Sequence, residues 1–231
     1  MTAKQTIGSM IGELAQQFSE AGLHFGHGTD NALDEAAWLV LHVAGKPLDG
    51  SFDGWQEPLD DDQVHETRRL ALARCETGRP LAYLLGTAWF AGLEFEVNED
   101  VLVPRSPIAE LIGDGFSPWV KPERLEHVLD MCTGSGCIGI ATAARLPDIR
   151  VDLADISPAA LAVARRNADR HGLGNRVRLV QSDLFRSLPE SAYGLIVANP
   201  PYVPETAMQL SLIHISEPTR PRLVSRMPSS A

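Results

Sequence analysis

His127-Val-Leu-Asp-Met-Cys-Thr-Gly-Ser-Gly-Cys-Ile-Gly-Ile-Ala-Thr-Ala-Ala-Arg145 decides the fold. An apolar strand around Val128-Leu129 runs into Asp130, a glycine-rich loop follows, and Cys137–Arg145 has the composition of a helix. The unit then repeats. Arg150-Val-Asp-Leu-Ala-Asp155 reads as a second strand, and Ser157-Pro158 opens a helix that runs to His171. Val177–Gln181 is a third strand ending at Ser182-Asp183, and Gly194–Ala198 a fourth ending at Asn199-Pro-Pro-Tyr202. Alternating strands and helices imply a parallel sheet with right-handed crossovers. Ligands of such sheets bind beyond the carboxyl ends of the strands. Asp130, Asp155, Asp183 and Asn199 all fall at those ends, and four polar strand ends make one expected site.

Upstream of this unit the texture differs. Ile7, Met10, Ile11, Leu14 and Phe18 recur at helical spacing. A second helix is expected with Asp30 as its cap, with Leu33, Ala36, Ala37, Val40 and Leu41 on one face, and with a stop at Gly45 and Pro47. A third runs from about Asp60 to Glu76, ending at Gly78 and Pro80. No catalytic constellation appears there, and His24, His27, His42 and His65 are read as surface or packing residues. From Trp89 the pattern alternates with period two around Gly92, and Asn98-Glu-Asp100 turns into Val101-Leu-Val103, a hairpin signature. A short helix over Ile108–Ile112 follows, and Gly113–Pro122 looks like a joint. The expected units are therefore helical over 1–85, hairpin and linker over 86–122, and catalytic over 123–208.

Composition narrows the function classes. The 231 residues carry 20 Lys+Arg against 30 Asp+Glu, a net charge of −10. Residues 1–127 hold 9 basic and 21 acidic side chains (net −12), and residues 128–231 hold 11 and 9 (net +2). An acidic first half opposes sequence-independent nucleic-acid binding, which depends on neutralising phosphates. It suits a basic protein partner or simple solubility. No apolar run approaches the ~20 residues of a membrane span, and the start lacks a signal peptide's apolar block. Cys75, Cys132 and Cys137 form neither a disulfide framework nor a metal site, so reduced thiols, a cytoplasmic location and no bound metal are expected.

Gly134-Ser-Gly136-Cys-Ile-Gly139 fits the G-x-G-x-x-G fingerprint, with acidic Asp155 ending the next strand. The glycines admit a ligand close to the backbone, and the acid can accept from both ribose hydroxyls. Alone, this pattern fits a nicotinamide dinucleotide nearly as well. Asn199-Pro-Pro-Tyr202 separates the two readings. The Asn199 side-chain carbonyl and the Pro200 backbone carbonyl are adjacent acceptors that can grip both hydrogens of an –NH₂ group. Tyr202 offers a flat face to a planar amide or base. The bland alternative is a Pro200-Pro201 turn after a strand.

Asp130-Met-Cys-Thr-Gly-Ser-Gly136, Asp155, Asp183-Leu-Phe185 and Asn199-Pro-Pro-Tyr202 together resemble the S-adenosylmethionine-dependent N(5)-glutamine methyltransferases. Within that family, Trp89-Phe-Ala-Gly-Leu-Glu-Phe95 and Val103-Pro-Arg-Ser-Pro-Ile-Ala-Glu-Leu111 resemble the branch acting on ribosomal protein L-three. The release-factor branch usually has Pro-Arg-Pro where this chain has Pro104-Arg-Ser-Pro107. The resemblance spans roughly residues 1–205, is densest over 80–203, and implies a Rossmann-like class I methyltransferase sheet behind a small helical domain and hairpin.

The resemblance implies S-adenosylmethionine as cofactor, bound by Asp130, Cys132, Thr133, Gly134, Ser135 and Gly136, with Asp155 on the ribose. Asp183 and Leu184 would border the adenine. Asn199 would also be a cofactor-binding residue, and would act with Pro200, Pro201 and Tyr202 on the glutamine amide. Cys132 departs from the family, which usually has glycine there; a thiol in place of a hydrogen is a small change. The expected partner is a basic, glutamine-containing ribosomal protein, with no membrane and no direct nucleic-acid contact. Release-factor methylation, adenine N(6)-methylation through the same Asn-Pro-Pro-Tyr grip, and a catalytically inert form are the alternatives. The chemistry needs no general base a priori: once the C–N bond forms, the product nitrogen is strongly acidic until it sheds a proton.

After Tyr202 the pattern fails. A seven-stranded methyltransferase sheet would need three more strands and a helix, about 40 residues, and 29 remain. Ser211-Leu-Ile-His-Ile-Ser-Glu-Pro-Thr-Arg-Pro221 looks like a translated sequencing adaptor. Homologous sequence is expected to stop near Met208, with 209–231 foreign, unpacked, and leaving the sheet's last strands missing.

Overall fold

The computed structural model describes residues 4–26, 28–121, 123, 125–188 and 193–200. Helix α1 (Ile7–Glu20) starts at a capping box: Thr6 accepts from the Ser9 backbone N–H, and Ser9 accepts from that of Thr6. Its buried stripe is Ile7, Met10, Ile11, Leu14 and Phe18, the expected set. In α2 (Ala32–Val43) the cap is Asn31, not Asp30, with the Asn31 side chain accepting from Asp34 N–H at 2.9 Å. Asn31 is the residue immediately before the first helical position, where its oxygen reaches the third N–H; Asp30 is one residue too early. The buried face is also turned. Ala36, Leu39 and Val40 are fully enclosed, while Leu33 is 57% exposed.

Helix α3 (Asp61–Thr77) has a second capping box, Asp60 with Gln63, and stops at Gly78 (φ 67°). The fully buried Arg74 of α3 pairs with Glu35 of α2 at 2.5 Å and donates to the carbonyls of Gly78 and His24. One guanidinium thus ties two helices and two loops, and each of these partners helps meet the desolvation cost of the charge. A short α4 (Leu81–Leu85), not anticipated from sequence, links this bundle to the hairpin.

The hairpin joins β1 (Thr87–Phe90) to β2 (Leu93–Glu96), antiparallel from Thr87↔Glu96 to Phe90↔Leu93. Its two-residue turn places Ala91 (φ 48°) and Gly92 (φ 78°) in the left-handed region that tight hairpins require. Val101–Val103 forms no strand: Asn98 folds its side chain over the Asp100 N–H, and Val101 and Val103 bury individually among the helices. A short α5 (Ile108–Gly113) follows.

The second half builds β3 (His127–Met131), α6 (Cys137–Arg145), β4 (Arg150–Asp155), α7 (Pro158–Arg170), β5 (Val177–Gln181) and β6 (Leu195–Ala198). All strand pairs are parallel, in the order β5-β4-β3-β6. The chain steps outward from β3 to β4 to β5, then returns to the other side of β3. That reversal opens a crevice at the carboxyl ends of β3 and β6, where doubly wound sheets hold their ligands. Packing α6 this close to the sheet requires Gly139, since a Cβ there would lie 2.2 Å from Leu153 Cδ2. The expected foreign tail, residues 209–231, lies outside the described residues.

Candidate active site at the strand ends

The register sets the site's floor. Met131 of β3 lies opposite Ala154 of β4 and Ala198 of β6, so the next residues, Cys132, Asp155 and Asn199, leave the sheet side by side. One strand further, Asp155 pairs with Gln181, and Ser182-Asp183 continue beyond it. At about 4.8 Å per strand the row spans roughly 14 Å, the reach of an extended nucleoside carrying an amino-acid arm.

Asp130 builds the loop and is too deep to touch a ligand directly. It is fully buried, and its Oδ2 accepts from Thr133 Oγ1 (2.5 Å) and from Gly139 N–H (2.9 Å). Those two bonds close the loop between strand end and helix start. Its Oδ1 has no partner among the described residues. Burial, aided by the neighbouring Asp155 charge, pushes the carboxyl up to about 7 against the lowering effect of its two donors. Thr133 and Ser135 are buried as well. The loop faces solvent at Cys132 and Gly134, and Gly134 has open space around its Cβ position.

Asp155 is half-buried, and its carboxylate is fixed by two backbone donors, Gly134 N–H (2.9 Å) and Ser157 N–H (3.0 Å). Acceptor capacity remains for a diol. Asp183 pairs with Arg186 at 2.7 Å, and its neighbours Leu184 and Phe185 are 56% and 59% exposed, as is Ile156 at 65%. Three exposed apolar side chains at two adjacent strand ends suit the faces of a purine. Ser182, not singled out from sequence, holds this turn: it is buried, donates to Leu184 O and accepts from Ser187 N–H. Asn199 is half-buried and Pro200 exposed; Pro201 and Tyr202 lie outside the described residues.

Cys132 adopts φ 58°, a left-handed conformation that costs a side-chain-bearing residue roughly 1–2 kcal/mol. Replacing hydrogen by a thiol is therefore small in volume but not in backbone energy. Burial and the nearby Asp155 and Asp130 charges also hold the Cys132 thiol above its ordinary pKa. Burial pushes Cys137 up to about 12, so neither sulfur is a ready nucleophile at neutral pH.

Asn167 is a second residue that sequence reading missed. Fully buried on α7, it donates through Nδ2 to Ser135 O (2.9 Å) and Glu96 O (3.0 Å), and accepts at Oδ1 from Glu96 N–H (2.7 Å). One side chain thereby joins the glycine loop to strand β2 of the hairpin. Arg166–Glu96 (2.7 Å) and Arg170–Glu94 (2.6 Å) flank it. The available signal is an amide at a position of α7 that, with Ala160, Val163, Ala164 and Ala168, turns inward.

The other sheet face carries Asp152, which accepts from Arg178 through both oxygens, from Tyr193 Oη (2.7 Å) and from His127. Burial opposes its charge, but these donors outweigh burial and hold the carboxyl below its usual range.

Residues 118–216 match the family model of the methyltransferase small domain, and residues 13–86 that of the PrmC N-terminal domain. A relative from Neisseria meningitidis serogroup A, named ribosomal protein uL3 glutamine methyltransferase, is 44% identical over 206 residues, 89% of this chain and 68% of the relative. One from Bordetella pertussis with the same name is 44% identical over 208 residues, covering 88% and 69%. The chain belongs to the uL3 glutamine methyltransferase family. Among solved structures, a Thermus thermophilus 16S rRNA N2 G1207 methyltransferase in complex with AdoMet and guanosine aligns with 51% of this chain and 32% of that one, at 21% identity and a TM-score of 0.40. The methyltransferase match of this uL3-family chain begins before β3 and includes every strand end described above. No helix among the described residues is long and apolar enough to cross a membrane.

Proposed function

We propose that this protein transfers a methyl group from S-adenosylmethionine to the side-chain amide nitrogen of a glutamine in ribosomal protein uL3. The observation that carries the reading is the row Cys132, Asp155, Asn199 at one register level of a parallel sheet, in a chain 44% identical to proteins bearing that name. The residues fit the cofactor: an open position at Gly134, a fixed carboxylate at Asp155, and apolar faces at Ile156, Leu184 and Phe185. When bound, S-adenosylmethionine supplies an electrophilic methyl group on a sulfonium.

An amide nitrogen is a weak nucleophile because its lone pair is delocalised into the carbonyl. The Asn199 side-chain oxygen and the Pro200 carbonyl accept its two hydrogens, aim the nitrogen and favour positive charge on it as the bond forms. Pro201 and Tyr202 complete the Asn-Pro-Pro-Tyr motif, and the aromatic ring of Tyr202 is assigned to the amide plane. Asp155 holds the ribose, and Asp183 accepts from the adenine amine. Asp130 and Thr133 hold the loop in shape from beneath, and the Cys132–Gly136 backbone borders the methionine arm. The helical part, 1–85, receives the acidic-seeking partner, while 86–122 connects it to the catalytic part. The protein works in the cytoplasm, on a basic ribosomal protein and without direct nucleic-acid contact.

Incubation with labelled cofactor and separate pools of uL3, release factor and DNA tests this. Label in uL3, on glutamine, is the expected result. Transfer only to release factor or only to DNA overturns the substrate assignment.

A further inference from the structure

A groove of about 370 Å³ between the helical bundle and the hairpin takes no part in the site above. Its walls include Trp38, Leu48, Phe52, Trp55 and Trp89, with Asp34 among the lining residues. Trp55 and Trp89 are 42% and 41% exposed, a large apolar surface to leave in water at one place. Phe52 and Trp55 meet edge to face at 5.2 Å and 85°, which fixes the angle of the wall.

Two observations point to the chemistry that these rings would bind. Lys46, on the segment that also supplies Leu48, Phe52 and Trp55, sits 5.5 Å from the Phe52 ring centroid while pairing with Glu57. The wall thus already uses an ammonium on an aromatic face beside a carboxylate. The same segment carries Asp49, Asp53 and Glu57 against that single lysine, and the first 127 residues are net −12. Among the described residues, no cation of the chain itself lies over Trp55 or Trp89.

We propose that this groove seats an arginine or lysine side chain of the methyl-accepting protein, flat against Trp55 and Trp89. The identity of that protein rests on the function proposed above; the cation preference does not. A seat on Trp89 is also tied structurally to the site described above. Trp89 pairs with Glu94 across the hairpin, and β2 is bonded through Asn167 to the loop that holds Ser135.

The full chain, labelled with ¹⁵N, is titrated with acetyl-Gly-Arg-Gly amide and with its citrulline counterpart, and the tryptophan indole N–H resonances are followed. Trp55 and Trp89 are expected to shift with the arginine peptide and not with citrulline, while the exposed Trp119 stays still. Equal shifts with both peptides, or none with arginine, overturn the proposal. In methyl transfer to uL3, Trp55→Leu with Trp89→Leu is expected to raise KM about tenfold at unchanged kcat. Trp55→Phe, which keeps an aromatic face, should retain most of the affinity. An unchanged KM in a folded double variant also overturns it. If wild type transfers nothing to uL3, the function fails, and the arginine shifts alone still decide the groove.

Discussion

At Cys132, two costs of opposite sign meet. Its left-handed backbone is disfavoured by roughly 1–2 kcal/mol for a residue with a Cβ, whereas glycine loses about 0.5–1 kcal/mol more chain entropy on folding. Cys132→Gly should therefore stabilise the protein by about 0.5–1 kcal/mol in urea denaturation, and a destabilised variant would show that the thiol makes contacts worth more than the strain. Asp130 titrates in the opposite sense to a paired carboxylate. Its folded value of about 7 lies above the 3.8 of a free aspartate, so the folded state binds the extra proton. Its contribution to stability is full at low pH, falls as pH rises from about 4 to 7, and is flat above. Asp130→Asn keeps an acceptor for Thr133 and Gly139 and should remove that decline. The difference between the two Tm–pH curves measures it, and parallel curves would disprove it. Both effects escape sequence reading, because neither a φ angle nor a depth of burial is written in the motif Asp130–Gly136.

Elements with strong local signals were legible in advance: the apolar stripe of α1, the Asp60 start, the Gly78 stop, the Ser157-Pro158 start, and all four parallel strands within a residue or two. Signals that depend on tertiary partners were not. Leu33 continues the helical spacing of α2, yet the bundle packs on the neighbouring stripe, and Val101–Val103 has strand composition without a partner strand. The bonds of Asn167 span 71 and 32 residues of sequence, distances over which no local pattern operates. Asn167→Leu would strip Ser135 O, Glu96 O and Glu96 N–H of their shared partner. A loss of about 2–4 kcal/mol in stability is expected, with weaker cofactor binding by calorimetry. Affinity unchanged in the folded variant would show that the hairpin and the loop are independent.

On the scale of the molecule, charge and chemistry are segregated. The net −12 of residues 1–127 covers the bundle, hairpin and groove, and the near-neutral remainder carries the strand ends. That division was visible in the sequence, as was the convergence of Asp155, Asp183 and Asn199 on one edge of the sheet. The exact faces were not, because the order β5-β4-β3-β6 arises only when the chain crosses back to β6. In the proposed function the topology separates two tasks: β4 and β5 would end at the nucleoside, and β6 at the acceptor amide.

That separation is the central claim, and Asn199→Ala tests it most directly. Calorimetry with S-adenosylmethionine and peptide mapping of uL3 after incubation with the cofactor are run on the same preparations. Wild type is expected to leave one methyl group on a glutamine side chain, whereas Asn199→Ala leaves none and binds the cofactor within about threefold of wild type. Methylated glutamine from the variant, or cofactor binding lost together with transfer, would contradict the account.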